Sequence, residues 1–87
     1  MTLSFPNGSR SYDGRRNLIR FWGHDSALEI SFFVEVGALH KLNPQTRNVE
    51  AGYLEAFDGA RERIHETARK AYTRARKGAY LLAAADF

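Results

Sequence analysis

The sequence predicts a two-layer α+β fold, in which a small antiparallel sheet of three or four strands is packed by one long helix plus a short helix. Two observations lead to this fold class. Residues 17–35 alternate apolar and polar side chains with the period of two that strands require, on both sides of a Gly-His-Asp-Ser segment. Residues 48–77 instead repeat apolar side chains at three- and four-residue steps, as one face of a helix does.

The first of these segments is predicted to be a hairpin with a definite register. If the Gly-His-Asp-Ser segment forms the turn, Phe21 lies opposite Leu28, and the apolar residues of both strands share one face. On the other face Arg20 and Glu29 then form a cross-strand charge pair, which contributes about 0.2–1 kcal/mol. That face also carries apolar side chains beside Arg20, namely Leu18, Trp22 and Phe33.

Weaker signals extend the sheet towards both ends of the chain. Residues 3–5 and 79–82 have strand character, and the dipeptides Asn-Gly at 7–8 and Asp-Gly at 13–14 are turn signals. The second turn predicts a small hairpin that precedes the long one. The order of these outer strands stays open at the level of the sequence.

Two helices follow the hairpin. Residues 36–42 are predicted as the short helix, which an Asn-Pro pair at 43–44 ends because the residue before proline avoids helical dihedral angles. The long helix is expected to begin with Asn48 as its N-cap and to run to about Lys77, with Gly78 as the stop.

Two glycines weaken the long helix. Gly52 and Gly59 each cost it up to about 1 kcal/mol relative to alanine, and a break near Gly59 is the alternative to one continuous helix. The predicted core combines the inner strand residues with the helix stripe: Ile19, Phe21, Leu28, Ile30, Phe32, Val34, Leu39, Leu54, Phe57, Ile64 and Ala68.

Length and composition limit the classes of protein that the chain can represent. With 87 residues it is expected to be a single domain, 1–87, that buries only about 60–65% of its unfolded surface. The chain has no cysteine, which excludes disulfides and thiolate metal sites. No stretch approaches the ~20 apolar residues that a membrane span needs, so a cytoplasmic protein without a membrane partner is predicted.

The apolar outer face of the hairpin predicts an interaction surface formed by Leu18, Arg20, Trp22 and Phe33. Because tryptophan and phenylalanine are rarely exposed together on a monomer, this face is expected to be covered by another segment of the chain, by a second copy or by an unidentified protein. Aromatic residues beside arginine also occur on RNA-binding sheets, but the glycine-and-aromatic consensus of the common RNA-recognition strand is absent. The leading hypothesis is a non-enzymatic interaction module.

Nucleic-acid binding is the alternative function. The net charge is +3, from 13 Lys and Arg against 10 Asp and Glu, and the pI is near 9.6. The second half of the predicted long helix holds a run of bases without an acid, and with Arg20 it could contact a phosphate backbone. The run consists of Arg69, Lys70, Arg74, Arg76 and Lys77, of which Arg69, Lys70, Arg74 and Lys77 are the candidate binding residues. The competing interpretation is a solvated helix face, since acids early and bases late suit the helix dipole.

Nothing in the sequence predicts an enzyme, a cofactor or a metal site. The histidines, His24, His40 and His65, lie at no metal-ligand spacing and are interpreted as surface residues. No nucleophile has a recognisable setting, and no phosphate-binding glycine loop is present.

The chain resembles a family of short bacterial proteins, the domain of unknown function 1488. The resemblance covers nearly the whole length and depends on short motifs in every part of the chain. These are Leu3-Ser4-Phe5-Pro6, Ile19-Arg20-Phe21-Trp22-Gly23, Glu29-Ile30-Ser31-Phe32-Phe33, Ala38-Leu39, Ala56-Phe57-Asp58, Arg63-Ile64, Tyr80-Leu81 and Asp86-Phe87. The resemblance implies a small cytoplasmic α+β domain and assigns no catalytic or binding residues.

Overall fold

The computed structural model describes residues 3–6 and 8–87, and its centre is a four-stranded sheet of order β1-β2-β3-β4. The strands are β1 (Arg10–Asp13), β2 (Leu18–Asp25), β3 (Leu28–Glu35) and β4 (Ala79–Leu82). Three helices, α1 (Val36–Leu42), α2 (Glu50–Gly59) and α3 (Arg61–Arg74), precede β4, and a 3₁₀ turn (Ala84–Asp86) follows it. The predicted α+β class is therefore confirmed, together with the small hairpin before residue 17.

The sheet is mixed, where an antiparallel one was predicted. β1 and β3 run antiparallel to β2, but β4 runs parallel to β3. The reason is the connection between β3 and β4, which contains all three helices and returns the chain to the end of the sheet where β3 begins.

The register of the long hairpin differs from the predicted one by four residues along β3. Phe21 pairs with Phe32 in place of Leu28, because β2 continues through Asp25 and only Ser26 and Ala27 form the turn. Ser26 has a left-handed φ of 56°, which a two-residue turn requires. An even shift keeps every side chain on its predicted face.

Gly23 lies inside β2 because the N-terminal segment approaches it closely. Ser4 and His24 exchange two backbone hydrogen bonds of 2.9 and 2.8 Å, so Ser4 pairs with β2 beyond the end of β1. A Cβ atom at Gly23 would lie 2.8 Å from the Phe5 ring and 3.0 Å from the Ser4 carbonyl oxygen. The predicted strand at 3–5 is therefore a single bridge, and the turn predicted at 7–8 includes Asn7, which lies outside the described residues.

The predicted long helix is two helices, α2 and α3, separated at Ala60. The break lies next to Gly59, the position at which the sequence pattern predicts a break as the alternative to one continuous helix. Asp58 holds the junction together, since its carboxylate accepts hydrogen bonds from Arg10 of β1 at 2.7 and 2.9 Å and from Arg61 of α3 at 2.6 Å. These arginines lower the pKa of Asp58, with the Arg10 hydrogen bond as the largest cause.

The first end of α2 also differs from prediction. Its N-cap is Val49, and no side chain caps it. The Asn48 side chain instead accepts a hydrogen bond from the Tyr53 hydroxyl at 3.3 Å, and its oxygen lies 2.7 Å from His40 Nε2. Asn48 therefore connects α1 with α2.

The core lies between the inner face of the sheet and the helices. Phe21 packs against Phe32 and against Phe57 of α2, with ring centroids 5.2 Å apart in both pairs. All but two of the predicted core residues are buried. Leu28 was assigned wrongly, since it is the residue of β3 next to the hairpin turn and is 63% exposed, and Leu54 is only partly buried.

Candidate functional site

The outer face of the sheet, opposite the helices, brings most of the predicted interaction residues together. Arg20 pairs with Phe33 across β2 and β3, and Trp22 pairs with Ser31. Phe33 also pairs with Leu81 of β4. The three helices bury their side chains in the core on the inner side, so this cluster belongs to the other surface of the sheet.

Each aromatic ring of the outer face lies beside an arginine. The guanidinium carbon of Arg20 is 4.9 Å from the Trp22 ring centroid, and that of Arg16 is 5.0 Å from the Phe33 centroid. Such cation–π contacts contribute about 0.5–1 kcal/mol at exposed sites. They leave both rings partly buried within the chain.

Arg20 is the central polar residue of this face. Its Nη2 donates a hydrogen bond to Ser31 Oγ at 3.2 Å and lies 3.9 Å from Glu29 Oε1. The predicted charge pair with Glu29 therefore forms, although the two residues are not directly opposite each other. Arg20 Nε is buried and has no hydrogen-bond partner.

The membership of the outer cluster changes at two positions. Leu18 lies on this face as predicted, but it is only 7% exposed and offers a partner little surface. Leu81 was missed, although it is 57% exposed beside Phe33. The alternation of Leu81 with the buried residues Tyr80 and Leu82 was the signal that could have placed it there.

The predicted nucleic-acid residues come together only in part: Arg69, Lys70 and Arg74 line one open pocket on α3 with Glu66 and Thr73, whereas Lys77 and Arg20 lie elsewhere. Arg69 is directed to the N-terminal segment, where its Nε donates to the Leu3 carbonyl at 3.3 Å and its guanidinium lies 5.1 Å from the Phe5 ring. Lys77 lies beyond the end of α3. Arg20 belongs to the outer face of the sheet, on the side away from α3.

Lys70 and Arg74 also line a second groove with Arg63, a residue that sequence reasoning missed. The groove, here called the α3 groove, has a volume of about 250 Å³ and separates α3 from the C-terminal turn. Its helix side is built from residues at spacings of three and four, which place them on one face: Arg63, Thr67, Lys70, Ala71 and Arg74. Its other side is built from Leu82, Ala85, Asp86 and Phe87.

Among the histidines, His65 is the one whose environment was assigned wrongly. Its ring stacks on Phe5 with centroids 3.9 Å apart and an interplanar angle of 8°, and it also contacts Phe21. Burial, together with the charges of Arg61 and Arg69, lowers the pKa of His65 from 6.5 to about 4. The ring is therefore neutral at physiological pH and helps to hold the N-terminal segment on α3.

Within residues 3–6 and 8–87, no three His, Asp or Glu side chains converge as a set of metal ligands. In the same part of the chain, no helix has both the length and the apolar character needed to cross a bilayer.

The fold and these two surfaces define a small α+β domain with an apolar sheet face on one side and a basic groove on the other. The family described as Protein of unknown function (DUF1488) matches residues 3–82, and the chain belongs to that family. No curated protein matches it in sequence.

The chain is also similar to a protein of unknown function from the same family in Shewanella loihica PV-4, whose crystal structure has been solved. The two share 20% sequence identity with a TM-score of 0.82, over 94% of each chain. This similarity shows that the two proteins have the same fold.

Proposed function

We propose that this protein is a non-enzymatic interaction module that pairs with a second copy of itself through the outer face of its sheet. The observation that carries the proposal is the apolar strip formed by Trp22, Phe33 and Leu81 on neighbouring strands, with Leu81 57% exposed. An exposed apolar strip of this kind on a sheet marks a surface that is stabilised by association.

The charges around the strip favour a second copy as the occupant. Arg20 lies on β2, whereas Glu29 and Glu35 lie on β3. A two-fold axis parallel to the strands and between β2 and β3 places β2 of one copy over β3 of the other, so that Arg20 of each copy faces the acids of its partner, which is the self-complementarity that an isologous dimer needs. A surface with both signs of charge in this arrangement suits its own copy better than a purely acidic or basic partner.

The ion pairs within the chain leave the charges of Arg20, Glu29 and Glu35 available, whereas Arg16 is paired with Asp13 at 3.0 Å. Arg20 and Glu29 are 3.9 Å apart and both are about half exposed, a setting in which a pair contributes about 0–1 kcal/mol. No cation lies within 4 Å of the Glu35 carboxylate in the described part of the chain.

The experiment is a measurement of solution mass by light scattering as the protein concentration is raised. The face is small, so we expect a weak dimer with a dissociation constant on the order of 10 µM. Trp22 is the only tryptophan, and its emission therefore reports on this face directly. We expect the emission to shift to shorter wavelength over the same range of concentrations as the mass increases.

Leu81→Ser and Leu28→Ser form a matched pair of variants. The two leucines are 57% and 63% exposed, but only Leu81 lies in the strip. Leu81→Ser is expected to weaken the dimer about tenfold or more, while Leu28→Ser leaves it unchanged. A monomer at every concentration would refute self-association, and equal effects of the two variants would show that the dimer uses another surface.

A cytoplasmic location in a bacterium goes with this proposal. It is supported by the absence of cysteine and by the bacterial source of the related structure.

A further inference from the structure

We propose that the α3 groove is a binding site for a phosphate monoester, held by Arg63, Lys70 and Arg74. The three cations lie on one face of α3 at spacings of seven and four residues and surround a cavity of about 250 Å³. A phosphate dianion neutralises two positive charges. Its three acceptor oxygens can accept hydrogen bonds from several guanidinium and ammonium groups simultaneously.

Arg63 is the residue that a purely solvated helix face does not explain. It lies in the first turn of α3, where the helix dipole is positive and a cation is disfavoured. No carboxylate lies within 4 Å of the guanidinium of Arg63 or Arg74 in the described part of the chain. The chain therefore holds two arginines near a third cation without neutralising them, and a bound anion removes that repulsion.

The acids at the groove are weak competitors for the three cations. Glu66 lies 3.8 Å from Lys70, but both side chains are about two-thirds exposed, so water screens the pair and it is weak. The carboxylate of Asp86 accepts a hydrogen bond of 2.7 Å from the Ala83 backbone N–H and caps the C-terminal turn. The arginines consequently keep their donors for a ligand.

The shape of the groove limits the ligand to a small molecule. Its volume is below the ~300–1,000 Å³ of sites that enclose drug-sized ligands. Ala71 and Leu82 supply apolar surface, and the partly buried Phe87 lies at the other side. Thr67 adds a hydroxyl that already donates to the Arg63 carbonyl at 3.0 Å and can still accept from a ligand. A phosphate on a short organic group fits this combination.

The test is a titration of the labelled protein followed by NMR, with glycerol 3-phosphate, inorganic phosphate and a single-stranded oligonucleotide as separate probes. Any purification tag belongs at the N-terminus, because the last residues line the groove. We expect glycerol 3-phosphate to give saturable shifts at the amides of Thr67, Lys70 and Ala85, with a dissociation constant on the order of 1 mM or tighter. Inorganic phosphate is expected to bind the same residues more weakly.

Arg63→Gln and Arg74→Gln are each expected to weaken binding about fivefold or more, since each removes one charge-assisted contact. Arg47→Gln is the matched control, because Arg47 is an exposed arginine on the segment before α2. Absence of saturation with both small probes would overturn the proposal. Oligonucleotide binding that exceeds glycerol 3-phosphate binding and extends to Arg69 would also overturn it, in favour of a nucleic-acid surface.

Discussion

Gly52→Ala is predicted to destabilise the protein, although alanine is normally the better helix residue. Gly52 lies in the first turn of α2 and is buried under the backbone of Arg47. A Cβ atom there would collide with the Arg47 carbonyl oxygen and would lie 2.8 Å from Arg47 Cβ and 3.0 Å from its carbonyl carbon. Relief of such a clash requires movement of the main chain, because no flexible side-chain end is involved.

The magnitude follows from two opposing contributions. Alanine favours the helix by up to about 1 kcal/mol. Forced overpacking costs about 1–3 kcal/mol, and here it acts on backbone atoms. We expect a net loss of about 1–2 kcal/mol in the free energy of unfolding, which lowers the melting temperature of a domain of this size by roughly 4–16 °C.

Gly59→Ala is the matched control, since it makes the same substitution in the same helix. A Cβ atom at Gly59 meets nothing within 4 Å, and this glycine does not have positive φ. The variant is expected to gain up to about 1 kcal/mol. Urea unfolding followed by circular dichroism measures both values, and a Gly52→Ala variant as stable as Gly59→Ala would refute the packing of residue 47 on α2.

Two further predictions concern the core and the N-terminal segment. Ile30→Ala should cost about 2–5 kcal/mol in chemical denaturation because Ile30 is 4% exposed, whereas Leu28→Ala should stay within about 0.5 kcal/mol. Stability should also fall as the pH is lowered from 6.5 towards 4, because His65 binds its proton in the unfolded chain but resists it in the folded one. The loss in the free energy of unfolding that this pKa change causes has an upper limit of about 3 kcal/mol, which partial solvent exposure of His65 reduces to about 1–2 kcal/mol. His65→Phe should retain the stack on Phe5 and remove this contribution.

Both predictions can fail in a defined way. Equal losses for Ile30→Ala and Leu28→Ala would mean that Leu28 is packed in the core and that the turn end of the hairpin is not exposed. A pH dependence that is identical in the His65→Phe variant would show that the loss at low pH arises from carboxylates such as Asp58, whose lowered pKa also makes folding sensitive to acid.

The hairpin shows how much of the fold could be predicted from local patterns. The alternation in β2 and β3 assigned the inner and outer faces correctly for Phe21 and Phe32, because the pleat alone decides which side a residue faces. The register was wrong because Gly23 was interpreted as a turn residue. Its actual role depends on Phe5 and Ser4, residues distant in the sequence that no local pattern connects with it.

The candidate surfaces were predictable to different degrees. Arg20, Trp22 and Phe33 were grouped correctly because they share a strand face within one hairpin. Leu81 joins them through the pairing of β4 with β3, which depends on the crossover of the helices. Arg63 was missed because the α3 groove exists only where the C-terminal turn returns to α3.

The sequence by itself determined the α+β class, the short helix at 36–42, the last strand and most of the core, since these depend on the side-chain period along one segment. The tertiary structure decided the parallel direction of β4, the different roles of Gly52 and Gly59, and the neutral state of His65. Each of these depends on atoms brought together from distant parts of the chain. Close packing and desolvation act between such atoms only after the chain has folded.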